Sequence, residues 1–441
     1  MSVPLARLHA AVLTCLWSWS AAATDDGADQ RWALHGQSTV VYQYHPSFDA
    51  PYTGRNSLAP EAQGKETVDA TAYVGLRLTR ATEIWITPEI DQGFGLSNTL
   101  GMAGFPSAEA YKVGSSSPYG RIHRAFVRQT FDFAGEDRAV ESDLAQFAGT
   151  HSGNRLVITA GKFSVVDVFD TNLYAHDPRN DFLNWALVDS AAFDYAANAW
   201  GYTYGVAAEL YRGATAVRLG LFDLSKEPNS EELGTDPLHQ YQIVAEIEQR
   251  YSLGDQPGAV RLLGYVTHAG LGDYDEAAAI ARSSGQPADI ASVRRTHEKY
   301  GAALNVEQAL TANIGAFARL SAAQGRYEAF DFTDVNRSYA AGVSIAGAGW
   351  KRPEDRVGAA FVVNQSSGAA HRFLDAGGLG ILIGDGQLPH PGSEEIAEVF
   401  YRLPVLRHAH VSLDYQYVRN PGYNRDRGPV SVVGARVHAQ F

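Results

Sequence analysis

The chain has 441 residues, 45% of them apolar and 19% charged, with 36 Lys+Arg against 49 Asp+Glu and a net charge of −13. The acid excess excludes a basic nucleic-acid-binding surface, the 11% aromatic content excludes a disordered polymer, and no apolar run reaches the length of about 18 residues that a spanning helix needs. A large globular protein or a membrane β-barrel remains, because a barrel alternates apolar and polar residues and needs no long apolar run.

Met1 to Ala23 reads as a secretory signal: Arg7, an apolar stretch from Ala10 to Trp19, then Ala21-Ala22-Ala23 before Thr24. Cys15, the one cysteine, falls inside it. The mature chain, from about Thr24, then carries no disulfide, thiolate metal site or cysteine nucleophile. Residues 24–441 are expected to form a single barrel domain.

Period-two alternation runs along this mature chain, the mark of strands whose two faces meet different surroundings. Val68, Ala70, Ala72, Val74, Leu76 and Leu78 share one face, and Asp69, Thr71, Tyr73 and Arg77 the other. Ile84, Ile86 and Ile90 oppose Trp85, Thr87, Glu89 and Asp91. Ile243, Ala245 and Ile247 oppose Gln242, Glu246 and Glu248, and the last segment sets Val433, Ala435, Val437 and Ala439 against Arg436, His438 and Gln440. Aromatics crowd the strand ends (Trp32, Tyr42 and Tyr44; Trp200, Tyr202 and Tyr204; Tyr415 and Tyr417), as girdles at two membrane interfaces would.

Connections alternate in length. Short turns are expected at 80–82, 212–214, 254–257, 311–313 and 351–354, and long loops at 46–66, 93–120, 164–198, 224–238, 270–293, 328–336, 368–393 and 420–429. This short–long alternation is the pattern of an outer-membrane barrel. Residues 134–154 break it, forming a long link where a short turn is expected. The count is sixteen antiparallel strands from near Trp32 to Phe441, an all-β transmembrane barrel wide enough for an aqueous channel. Residues 378–384 read as either a further strand or a buried loop. In the third long loop, Phe182, Trp185, Ala186 and Asp189 recur at helical spacing, which predicts a short helix over 181–194. Asp275 to Arg282 also reads as helical and is expected to cap the outside.

Several long segments in order resemble one family. They are PEIDQGFGLSNTLGMAGFPSAEAYKVG at 88–114, RAFVRQTF at 124–131, residues 161–205 beginning GKFSVVDVFDTNLYAHDPRNDF, AGGLGILIGDG at 376–386, EEIAEVFYR at 394–402, and residues 414–441. Together they are similar to the carbohydrate-selective outer-membrane porins of the OprB type. The resemblance implies a sixteen-stranded barrel in the bacterial outer membrane that passes sugars by diffusion, with long extracellular loops folded into the lumen to make a constriction. The terminal Phe441 matches the C-terminal signal by which such barrels engage the barrel assembly machinery.

A channel that favours a neutral sugar should offer charged and amide groups of both signs for hydrogen bonds, and rings to stack on. The constriction candidates on strand faces are Arg77, Glu89, Asp91, Arg124, Arg128, Glu246, Glu248 and Glu398, with Trp185 from the helix in the third long loop. Glu89, Asp91, Arg124 and Arg128 rank first, since they sit on adjacent strands beside the second long loop. No cofactor motif is present, and Asp-rich loops such as those with Asp331 and Asp334 give no calcium ligand count. Enzyme readings are weak. His410, Ser412 and Asp414 lie on one strand face roughly 7 Å apart, too far for a relay, and the Glu246/Glu248 pair fits a polar wall as well as a glycosidase.

The expected function is passive, binding-assisted diffusion of mono- or disaccharides, with sugar and outer-membrane lipid as partners and no nucleic acid. Two alternatives stand beside it: a general or ion-selective porin, and a surface β protein that binds glycans without transporting them. A homo-oligomer is compatible with the pattern, but no strand stands out as its contact face.

Overall fold

The computed structural model describes residues 30–441 apart from 235, 237 and 333, so the signal assigned to 1–23 lies outside the described residues. Eighteen strands follow in chain order: β1 (Trp32–His45), β2 (Gln63–Thr79), β3 (Thr82–Gly93), β4 (Ser115–Asp132), β5 (Asp137–Val140), β6 (Gly149–Ser152), β7 (Arg155–Phe163), β8 (Thr203–Arg212), β9 (Thr215–Asp223), β10 (Tyr241–Leu253), β11 (Gln256–Gly272), β12 (Arg294–Thr311), β13 (Ile314–Ala323), β14 (Arg337–Ala346), β15 (Arg356–Gln365), β16 (Glu394–Leu406), β17 (Ala409–Arg419) and β18 (Val430–Gln440). Sixteen of them form one closed antiparallel barrel, and β5 and β6 pair only with each other. Closure comes from β1, which pairs with β2 on one side and with β18 on the other.

The alternation is inside out relative to a soluble β protein. Leu219, Leu221, Ile243 and Ile247 are each 41–56% exposed, whereas their neighbours Arg218, Glu246 and Glu248 are at most 4% exposed. Leaving such a belt in water would forgo about 1.5–3 kcal/mol per large side chain, and hydrocarbon removes that cost. The buried, polar face is therefore the inner one. Tyr42, Tyr44, Tyr415 and Tyr417 stay exposed near strand ends, as girdle residues should.

Trp200 and Tyr202 depart from the expectation. Asn198 turns the chain there: its Oδ1 accepts from Trp200 N at 3.1 Å, and Gly201, at φ +91°, donates to Asn198 O. An Asx turn of this kind keeps the backbone out of the ladder. Strand β8 therefore starts only at Thr203, and both rings belong to the connection rather than to a girdle.

The predicted helix over 181–194 is also shorter than expected, a single turn, α1 (Trp185–Val188). Glu398 takes the N–H groups of Leu183 and Asn184, and Asn184 Oδ1 caps Ala186 N, so the helix starts late. At its other end Ser190 N turns to Asp170 Oδ2 at 2.6 Å instead of continuing the helix. By contrast, Asp275 to Arg282 is helical, inside α2 (Tyr274–Ser284), with Asp273 as its N-cap and Gly285 at φ +68° closing it. It packs on α3 (Gly368–Asp375) through Tyr274 and Phe373, ring centres 5.0 Å apart. Residues 378–384 form a buried loop and no strand, with Leu382 and Ile383 inaccessible to solvent.

Candidate functional site

Strand β3 carries Pro88, which has no N–H to give to the ladder. The pairing with β4 slips at that point: Thr87 faces Arg124, but Pro88 faces Ile122. His123 is the extra residue of this bulge, and the local twist sends both His123 and Arg124 to the inner side. His123 Nε2 lies 3.3 Å from Glu89 and 3.4 Å from Asp91, and its ring stacks on Tyr202 at 4.3 Å. Arg124 makes a two-pronged pair with Asp167, 2.6 and 2.7 Å, with its guanidinium 5.0 Å from the Tyr202 ring.

Arg179 completes this group from the connection 164–202. It reaches Glu109 at 3.1 Å, Glu89 at 3.7 Å and Asp69 at 3.8 Å. Acidic and basic groups thus interleave beside aromatic rings over a few residues of β2, β3 and β4 and two long connections. Arg124, Asp167, His176 and Arg179 keep 15–29% of their side chains exposed, so water reaches them.

The same connection is bonded to the inner face around much of the barrel. Glu398 on β16 accepts from Leu183 N and Asn184 N at 2.6 and 2.9 Å. Glu246 on β10 accepts from Asp170 N at 2.8 Å, and Arg319 on β13 donates to Leu187 O at 2.7 Å. Lys299 on β12 pairs with Asp194 at 2.9 Å, and Arg402 and Arg436 bond the backbone carbonyls of Asn180 and Asp181. Apart from that of the half-buried Arg402, each bond joins a buried charge to a backbone dipole or a counter-charge, the condition under which such burial is tolerated.

Among the residues singled out by sequence, Glu89, Asp91 and Arg124 come together in the charged group. Glu246 and Glu248 belong to a wall ladder with Arg218, 2.7 and 3.0 Å away, extended by Arg250 and Arg261. Glu398 is fully buried and holds the connection. Trp185 is 3% exposed and sandwiched between Phe105 and Phe332, ring centres 5.5 and 5.7 Å away, so it is packing and presents no stacking face. Arg77 and Arg128 sit away from the group, toward the short-turn end. Arg77 bonds Ala148 O, and Arg128 lies 3.5 Å from Glu83 and bonds Ala145 O at 2.8 Å.

Sequence reading missed Asp167, His176, Asp177, Arg179 and Tyr202. The one available signal was the dense polar run His176-Asp177-Pro178-Arg179-Asn180-Asp181 inside a long connection. Their electrostatics are mixed. Burial pushes Asp189 up to about 6, partly opposed by His176 at 3.6 Å. Burial also raises Asp181, with the neighbouring Asp177 charge adding to it. For Asp177 the burial penalty is outweighed by Arg179 and by the Asn180 amide, and its carboxyl lies below the ordinary range.

Glu89, Asp91 and His123 bring ligand-type atoms within 4.8 Å of one another, a spacing a cation can span. The imidazole already lies between the carboxylates, and the Arg179 guanidinium beside them supplies a positive partner. The residues judged too far apart for a relay are engaged elsewhere: His410 bonds Arg179 O at 3.1 Å, and Ser412 accepts from Arg436 at 3.0 Å.

The family described as carbohydrate-selective porin, OprB family, matches residues 55–441. Among solved structures, the high-pH structure of Pseudomonas putida OprB is similar at 16% identity, over 94% of this chain and 95% of that chain, with a TM-score of 0.71. The low-pH structure of the same protein is similar at 12% identity, over 94% and 93% of the two chains, with a TM-score of 0.50. At these identities the likeness is one of fold. No curated protein sequence gives a significant match.

Proposed function

The chain belongs to the OprB family of carbohydrate-selective porins and is an outer-membrane carbohydrate channel, and from that premise we infer that sugars cross it by passive, binding-assisted diffusion past a waist built by the connection 164–202. The observation that carries this reading is the interleaved group Arg124, Asp167, Arg179, Glu89 and Tyr202. Carboxylates accept from sugar hydroxyls, guanidinium groups donate to them, and a ring face meets the C–H side of a pyranose. Opposite charges a few ångströms apart hold hydrogen-bonding capacity without a strong preference for one ion sign.

The substrate class is mono- and disaccharides, since the charged group with its single ring face, Tyr202, matches one small ring system. Arg124 and Asp167 are the first contacts, with Arg179 and Glu89 supporting them. Asp91, Glu246, Glu248 and Glu398 act by holding the wall and the connection in place. The last strand, ending at Phe441, is the segment that the barrel assembly machinery would receive, and its backbone pairs with Gly36 at 2.9 Å in both directions.

The test is single-channel recording in planar bilayers, with glucose and then maltose added in steps. Saturable reduction of the current is expected. Conductance that no sugar reduces at any concentration would overturn the sugar-site reading and leave a general porin. Arg124→Ala is expected to weaken the block by about tenfold, the scale of one charge-assisted hydrogen bond, and to shift the reversal potential toward cations.

A further inference from the structure

One connection at the short-turn end is far longer than the others, the next being the link 347–355 between β14 and β15. The turns between β2 and β3, β8 and β9, β10 and β11, and β12 and β13 take two residues each (80–81, 213–214, 254–255 and 312–313). The link from β4 to β7 instead runs over 133–154, and it folds as a hairpin of β5 and β6. The tip of this hairpin points back onto the barrel. Phe147 is 2% exposed, with its ring 5.0 Å from Trp85 and 4.5 Å from the guanidinium of Arg77. Gly75 makes the room: a Cβ there would sit 2.6 Å from the Trp85 ring, so the indole lies flat on bare backbone and offers its other side to Phe147.

The backbone of the tip is tied down as well. His35 Nδ1 donates to Leu144 O at 3.0 Å, Arg128 to Ala145 O at 2.8 Å, and Arg77 to Ala148 O. These donors come from three wall strands, β1, β4 and β2. Arg77, Trp85 and Arg128 lie on the inner face, within a few residues of the short turns. At the same mouth, next to β1, a cavity of about 830 Å³ runs along β16 to β18, lined by Asn180, Arg402, His410, His438 and Phe441 among others.

We propose that the hairpin 133–154 folds into the exit of the channel and acts as a second, exit-side filter, narrowing the passage from the β1–β4 side. The proposal rests on the chain being an open channel and is separate from the sugar waist. Three wall donors satisfying three tip carbonyls, plus one buried aromatic, fix the tip against the wall. An exposed linker needs none of them. The exit would then limit the size of permeant and the total current, while the waist sets sugar affinity.

The experiment compares the unaltered protein with a variant in which 135–152 is replaced by a two-residue turn, and with the milder Phe147→Ala. Folding is checked first by heat-modifiable migration in detergent gels. In planar bilayers the shortened variant is expected to raise single-channel conductance by up to about twofold, the wider bore passing more ions. In liposome-swelling assays it should admit trisaccharides relative to monosaccharides more readily, with the glucose concentration for half-block unchanged. Phe147→Ala should give intermediate conductance with more current noise. Equal conductance and equal size selectivity in folded wild-type and variant channels would overturn the proposal. If shortening prevents folding, the Phe147→Ala result decides alone, and unchanged conductance and noise there overturn it. An unaltered protein with no conductance would count against the channel assignment itself.

Discussion

Arg179 is the residue on which the charged group depends. It stands between Asp69, Glu89 and Glu109, all at most 6% exposed. Arg179→Ala leaves these carboxylates buried without their guanidinium, which costs several kcal/mol unless they take up protons or cations. The expected outcome is a shift of reversal potential toward cations and weaker glucose block, both read in the same bilayer recording. Arg179→Lys should restore charge but only part of the block, because one ammonium cannot span three carboxylates. Asp189 gives a pH dependence. Its carboxyl is raised from 3.8 to about 6, so the folded state holds a proton that the unfolded state has released. Stability of the segment around α1 therefore falls as pH rises from about 4 to about 6 and is flat above that. Hydrogen exchange across 185–195, corrected for intrinsic rates, should be faster at pH 7 than at pH 5, and Asp189→Asn should remove the difference. Identical protection at the two pH values would contradict it.

At the scale of elements, period two made the strands legible, because each strand lies between lipid and a wet, charged interior and its sequence must alternate. That logic carries a prediction: Leu219→Arg at the centre of β9, on the lipid side, should destabilise the barrel by about 2–4 kcal/mol, measured by urea-dependent folding into lipid vesicles. Asp rather than Arg should cost less. What the pattern could not show were the places where side chains override periodicity. The one-turn α1 is short because Glu398, more than two hundred residues away, captures the N–H groups that a longer helix would use. Trp200 and Tyr202 look like strand residues by spacing, and Asn198 makes them a turn. The inward swing of His123 follows from Pro88 on the neighbouring strand, and a pairing defect has no signature in either strand taken alone. Glu398 itself illustrates the limit. Its position on the inner face was readable, but not its role of holding a connection. Glu398→Ala should expose the connection 164–202 to protease cleavage in the intact barrel, at a local cost of about 3 kcal/mol for two charge-assisted hydrogen bonds.

For the whole molecule, the sign of the net charge says little about what passes. The excess of acids in the composition is spread over loops, wall ladders and rim, while the group beside the connection 164–202 alternates in sign. A channel of this kind should show weak ion selectivity together with measurable sugar block, a combination that neither a strongly anion- nor a strongly cation-selective porin would give. Barrel size was legible because sixteen strands and their connections account for nearly all residues from 32 to 441. The packing of the long connections was not, since it depends on contacts between segments far apart in sequence: Arg427 with the carbonyls of Tyr52 and Leu58, and Glu394 with the N–H groups of Ala103, Gly104 and Gly422.

The seam between β1 and β18 runs from Gln37 opposite Gln440 to Tyr44 opposite Val433, joining the first barrel strand to the last. Until β18 is made, the first strand has no partner on one side, and every intermediate in synthesis or insertion carries two raw edges. A chain cut short anywhere therefore announces its defect through unpaired backbone, whatever its sequence. Inspection of the strand set is thus built into the geometry, since only a chain that carries all sixteen barrel strands can become a wall without ends.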